Sequence, residues 1–241
     1  MKRLVFALVA MLGLIGCQTA DIDADRMVKF FNTIAFSKYS NYKINKWDDT
    51  ILVKLVGKDG ENPEKYRQEV EAQFRRISEI TEVSVEVLAD GDTGYHNYTI
   101  EFIPTEIVEY SKGYWCDAKN WCSECSGYRI YKARLRIGTR TAVWEIRSPE
   151  WRVKYCIAHE TMHSLGLGGH PFVSGSVPSV LAKDSSLNAL KRDLTHWDEL
   201  ALRALYDPRL EPGMTRGEAE PIIQKIMSEL LGGGRPSGSL P

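Results

Sequence analysis

Net charge is the first thing this chain lacks. Lys and Arg number 31 against 32 Asp and Glu, a formal charge of -1 over 241 residues, so no electrostatic field invites nucleic acid or an anionic membrane surface as partner. No internal repeat stands out, which excludes a solenoid or array. The N-terminal apolar run, Leu4 to Ile15, is too short to cross a bilayer as a stable helix. Histidine and cysteine are scarce, five of each. What remains has the composition and length of one globular domain with terminal segments.

The scarce histidines are not scattered. Three of the five fall in the stretch from Cys156 to His170, C-I-A-H-E-T-M-H-S-L-G-L-G-G-H. On an α-helix, His159 and His163 stand one turn apart on one face, where two imidazoles share a tetrahedral metal. Glu160 follows the first histidine and is rotated toward the second, so its carboxylate reaches a metal-bound water without being a ligand. Gly166, Gly168 and Gly169 allow the chain to end the helix and turn back sharply. His170 then approaches the metal from outside the helix as third ligand. The expected ion is zinc, with His159, His163 and His170 as ligands and Glu160 as the catalytic base. An alternative third ligand is Glu199, from a later helix. His96 has no assigned role, and His196 is expected at an exposed helix cap.

The first residues pair a basic start, Lys2-Arg3, with the apolar run and the ending Leu14-Ile15-Gly16-Cys17. That ending resembles the lipobox of bacterial lipoproteins, in which the cysteine carries the lipid. The resemblance implies a signal peptide over 1–16, a membrane anchor at Cys17 and, with Gln18 following, a place at the outer membrane of a bacterial cell envelope. Export implies an oxidising compartment. Cys116, Cys122, Cys125 and Cys156 then make two disulfides the default, with three connectivities open. A second zinc site at Cys122-x-x-Cys125 is the alternative. Cys156, one turn before His159, is expected to tether the active helix to the loop from Trp115 to Cys125.

Along the rest of the chain, apolar positions from Met27 to Phe36 recur at helical spacing, so 17–45 is expected to be a lipidated N-terminus with a short amphipathic helix packed on the domain. Ile51 to Val56 reads as a strand. Asn62-Pro63-Glu64 opens a helix with Tyr66, Val70, Phe74, Ile77 and Ile80 on its buried stripe. Val83 to Leu88 and Tyr98 to Ile103 are two more strands, and Pro104 to Gly127 a long aromatic loop. Tyr128 to Ile137 alternates as a strand with one wet face, either a half-buried strand or an edge for an extended peptide to join. Pro149 starts the metal helix. Thr195 to Asp198 is a capping box before a helix ending near Tyr206. Thr215 to Leu230 can form one more helix, followed by a tail.

His159, Glu160, His163 and Gly166, in this order of sheet, helix, active helix and small C-terminal part, resemble the metzincin clan of zinc peptidases. Ser185-Ser186-Leu187-Asn188 and the helix ending in Leu205-Tyr206 resemble its Met-turn and last helix. The third histidine stands one residue late, with Gly169 in its usual place, and Leu187 replaces the methionine. A nearer resemblance is to an uncharacterised family of bacterial lipoproteins, through Asn45-Lys46-Trp47-Asp48, the run H-E-x-x-H-x-L-G-L-x-G-H and Leu205 to Leu210. Together these imply an α+β, metzincin-like domain over 46–212. It has a twisted mixed sheet, a backing helix, an active-site helix and a small, mostly helical C-terminal part, with 213–241 as a terminal helix and tail. The implied function is a zinc metallopeptidase. Its zinc-bound water, deprotonated by Glu160, attacks a bond of a peptide or protein substrate. The alternative is a non-catalytic binding or scaffolding lipoprotein of the cell envelope on the same fold.

Overall fold

Alternation along the strands decides which side of the sheet is covered. The structure is a computed structural model describing residues 22–104, 116–122, 127–139, 148–171, 177–182 and 191–232. The expectations for the leader and Cys17, for Cys125, for Ser185 to Asn188 and for the tail after Gly232 lie outside those residues. Strands β1 (Ile51–Gly57), β2 (Val85–Val87), β3 (Tyr98–Ile103), β4 (Cys116–Trp121) and β5 (Lys132–Gly138) form one sheet in the order β2-β1-β3-β5-β4. All neighbours run parallel except β4, which pairs antiparallel with β5.

Tyr98, Ile100 and Phe102 on β3 stand in register with Ala133, Leu135 and Ile137 on β5, and all six are fully buried. The residues between them, Thr99, Glu101, Arg134 and Arg136, point to the other face, which is the period of two that a one-sided core requires. Each large apolar side chain so buried contributes roughly 1.5–3 kcal/mol.

The described residues hold five α-helices: α1 (Ala24–Ala35), α2 (Arg67–Thr81), α3 (Pro149–Ser164), α4 (His196–Leu205) and α5 (Arg216–Gly232). The mixed sheet with its helices agrees with the α+β expectation. Helix α2 follows a short turn at Pro63–Tyr66 and turns Val70, Phe74, Ile77 and Ile80 inward, as its spacing predicts. Phe74 meets Tyr98 edge-on at 5.1 Å, and Tyr66 stacks on Phe102 at 4.8 Å. Helix α1 buries Met27, Phe31 and Ile34, and Phe30 packs edge-on against Trp197 of α4 at 5.4 Å. Both α1 and α5 belong to the same cluster of buried residues as the sheet. No helix among the described residues is long and apolar enough to cross a membrane.

Two expectations are corrected. Residues 116–121 form a strand where the sequence reads as loop, because Cys-Asp-Ala-Lys-Asn-Trp has none of the β-branched residues that announce one. Tyr128 to Ile137 is therefore no edge: its regular part, β5, lies between β3 and β4, and β4 is the outermost strand on that side among the described residues.

Candidate metal centre

Helix α3 starts where Ser148 accepts the Trp151 N–H on its hydroxyl and Pro149 takes the first helical position. It is buried nearly all round, with Val153, Ile157 and Met162 in the core as expected. Its last carbonyls, which have no partner inside the helix, are taken by side chains from three distant places. Asn120 of β4 donates to the His163 carbonyl at 3.2 Å, the Trp47 indole to that of Ser164 at 3.0 Å, and the Tyr206 hydroxyl to that of Leu165 at 3.1 Å. Cys116 at the start of β4 is disulfide-bonded to Cys156, so the helix is tethered as expected. Among the described residues this is the one disulfide present, and Cys122 is a free thiol.

After Ser164 the chain reverses. Gly166 has φ +111°, which L side chains rarely adopt, and a Cβ there would meet the Asn45 carbonyl oxygen at 2.0 Å. Gly169 donates its N–H to the Ile34 carbonyl at 2.8 Å, so the turn docks on the end of α1. A Cβ on Gly169 would lie 2.2 Å from the Thr33 carbonyl oxygen. The extra residue before His170 is thus seated against α1, and the third histidine reaches the other two.

The three Nε2 atoms converge: His159 to His163 at 3.1 Å, His159 to His170 at 3.1 Å, and His163 to His170 at 3.2 Å. The opposite nitrogens show which tautomer is present. His159 Nδ1 lies 2.7 Å from the Val180 carbonyl and His163 Nδ1 2.7 Å from the Leu167 carbonyl. A carbonyl only accepts, so both Nδ1 atoms carry the proton and both Nε2 atoms present a lone pair. The Tyr155 hydroxyl sits 3.0 Å from His159 Nδ1, with its ring stacked on Trp151. Burial pushes the His163 imidazole down to about 4, which keeps it neutral at pH 7. Neutral imidazoles with lone pairs facing one point have the chemistry to ligate a metal, and the three lie close enough together to bind one ion. Zinc–nitrogen bonds of 2.0–2.1 Å at tetrahedral angles place ligand atoms about 3.3–3.4 Å apart, so the spacing fits such an ion.

Glu160 is 6% exposed and lines the same cleft. Burial, with the Asp117 carboxylate adding to it, pushes the Glu160 carboxyl up to about 8. Asp117 itself accepts from Arg136 Nε at 2.9 Å. The cleft has a volume of about 660 Å³ and is lined by residues between Thr33 and Ser40, by Asp117 to Asn120 of β4, and by the three histidines and Glu160. Glu199 is elsewhere: it accepts from the Arg76 guanidinium of α2 and has no place in the histidine cluster. His196 is exposed, as expected, and His96 lies in a partly exposed turn beside the Gly94 carbonyl.

Several contributors have no motif to announce them. Asn120 and Asp117 sit in a strand the sequence hides, and Val180 acts through its backbone. The stretches Asn45 to Asp48 and Leu205 to Leu210 did carry a signal, since they hold the lipoprotein resemblance. Trp47 and Tyr206 are where they support α3.

A family profile described as protein of unknown function DUF2927 matches residues 23–225, which include every residue of this centre. The chain belongs to that family. No curated protein matches the sequence. The description of that family names no chemistry.

Proposed function

We propose that the chain is a zinc-dependent metallopeptidase with a metzincin-like active site. The observation that carries this reading is the convergence of three Nε2 atoms within 3.1–3.2 Å of one another, with Glu160 beside them in an open cleft. Zinc on three imidazoles acts as a Lewis acid, polarising a carbonyl and lowering the pKa of water.

The chain's own groups do the rest. Glu160, with a proton affinity near neutrality, accepts a proton from the attacking water on its carboxylate and returns it to the leaving amine nitrogen. The Nδ1 bonds to Val180 and Leu167 hold His159 and His163 in position. Strand β4, outermost among the described residues, lines the cleft and offers an edge to an extended peptide, the substrate form this arrangement favours. The leader-like start and Cys17 support a lipid-anchored place in a bacterial cell envelope, at the outer membrane. The buried Glu160 carboxylate in the same cleft as the three converging Nε2 atoms favours this reading over a non-catalytic scaffold on the same fold.

Purified protein is expected to hold close to one zinc per chain, to cleave an unfolded protein substrate, and to lose both metal and cleavage on chelation. A preparation that takes up zinc and cleaves no peptide bond overturns the peptidase. One that takes up no transition metal overturns the centre.

A further inference from the structure

His159 Nδ1 has two neighbours, the Tyr155 hydroxyl of its own helix at 3.0 Å and, closer at 2.7 Å, a carbonyl that no regular element holds. The Nδ1–H donates to Val180, which lies in the short segment 177–182, outside any helix or strand. Within that segment the Ala182 N–H reaches the Ser179 carbonyl at 3.1 Å and the Leu181 N–H reaches the Ser179 hydroxyl at 3.0 Å. A lone turn of this kind does not by itself aim a carbonyl at a partner 21 residues earlier.

Asp198 supplies the anchor. It is 0% exposed, at the start of α4. Its Oδ1 accepts from the Ser179 hydroxyl at 2.6 Å, and its Oδ2 accepts from the Val180 N–H at 3.1 Å. The same Oδ2 takes the Thr195 N–H at 2.9 Å and the Thr195 hydroxyl at 2.8 Å. Capping α4 accounts for the two Thr195 contacts alone. The bonds to Ser179 and Val180 go beyond it, and no ion pair among the described residues offsets the burial of this carboxylate. The contacts of both carboxylate oxygens go to the cap and to the turn that faces His159.

We infer that Asp198 is a positioning residue for the metal centre. By holding Ser179 and Val180 it aims the Val180 carbonyl at His159, which keeps the proton on Nδ1 and turns Nε2 toward the ion. His163 needs no such help, because its acceptor, Leu167, lies in its own turn. The inference rests on the metal centre proposed above and adds a partner that reaches it from α4.

The test measures zinc affinity of the full mature chain by chelator competition, beside its melting temperature. Asp198→Asn keeps the shape but sets an amide N–H against the Val180 N–H or the Ser179 hydroxyl, and zinc affinity is expected to fall about 10–100-fold, the usual cost of disturbing a ligand's hydrogen-bond partner. Thr195→Ala loosens the α4 cap and lowers the melting temperature, but is expected to leave zinc affinity unchanged. Ser179→Ala removes the Oδ1 contact without touching the cap, and is expected to weaken zinc in the same direction, by less. It carries the test if Asp198→Asn does not fold. Unchanged affinity in a folded Asp198→Asn or in Ser179→Ala overturns the inference, and so does a loss in Thr195→Ala equal to that in Asp198→Asn. A wild-type chain that takes up no zinc overturns the inference and the metal centre together, an outcome distinct from any in which only the variants disagree.

Discussion

His163 and His159 stand one turn apart on the same helix and are held in opposite ways. His163 is oriented by Leu167, four residues on, in a turn closed by Leu167 N–H to the Met162 carbonyl at 3.2 Å. His159 is oriented by Val180, 21 residues on, in a segment anchored by α4. His170 resembles His159 in this respect, since its approach depends on Gly169 lying against the end of α1. The local half of the centre is written into one motif, and the imported half exists only when α1, α4 and the 177–182 segment are packed. Damage to remote elements should therefore loosen His159 and His170 before it reaches His163.

The largest expected effect separates holding from chemistry. Glu160→Gln leaves both halves intact, so zinc content should stay at the wild-type level while peptide cleavage falls about 10²–10⁴-fold, the range for loss of a general base. Cleavage at the wild-type rate removes Glu160 from the mechanism.

Removing the Cys116–Cys156 disulfide by a double serine substitution attacks the joint between β4 and α3. It closes a span of 40 residues, and its loss should cost about 2–4 kcal/mol in denaturant unfolding.

The two glycines then compare the halves directly. Gly166→Ala disturbs the turn that serves both His163 and His170, and should cost about 2–4 kcal/mol through its positive φ and its clash with Asn45. Gly169→Ala clashes only with α1 and should cost about 1–3 kcal/mol, with the Leu167 bond to His163 retained. Imidazole NMR of the apo protein reads this out. A His163 Nδ1–H signal lost in Gly169→Ala would show the halves to be one unit.

Tyr206→Phe removes a hydroxyl that donates to Leu165 and accepts the Trp47 N–H at 3.3 Å, a loss of about 1–2 kcal/mol in stability with zinc affinity little changed. At the small end, Gly217→Ala lies in a helix where an added Cβ meets nothing within 4 Å, and should stabilise the chain by about 0.5 kcal/mol, seen as a raised melting temperature.

Much of the fold was legible because burial leaves a period. Tyr98 to Ile103 alternates and is β3 over the same residues, and the stripe from Val70 to Ile80 is the buried face of α2. The Thr195 capping box appears as read, at the start of α4. Strand β4 was hidden because its residues have little β propensity and it forms by pairing with β5. The same asymmetry runs through the site. His159, Glu160, His163 and the glycine turn can be read in order because helical spacing places them. Asn120, Trp47 and Tyr206 cannot be assigned to the carbonyls they satisfy, since nothing local relates them to α3.

The sequence by itself determined that two imidazoles and a carboxylate share one face of a helix, because 3.6 residues per turn leaves them no other arrangement. It also determined that the chain can reverse after that helix, because glycine alone tolerates the backbone angle and the close approach. Tertiary structure decided that His170 completes the set and that His159 presents Nε2. Both depend on backbone carbonyls and amides of α1 and the 177–182 segment, groups every residue carries, whose partners are chosen only by packing.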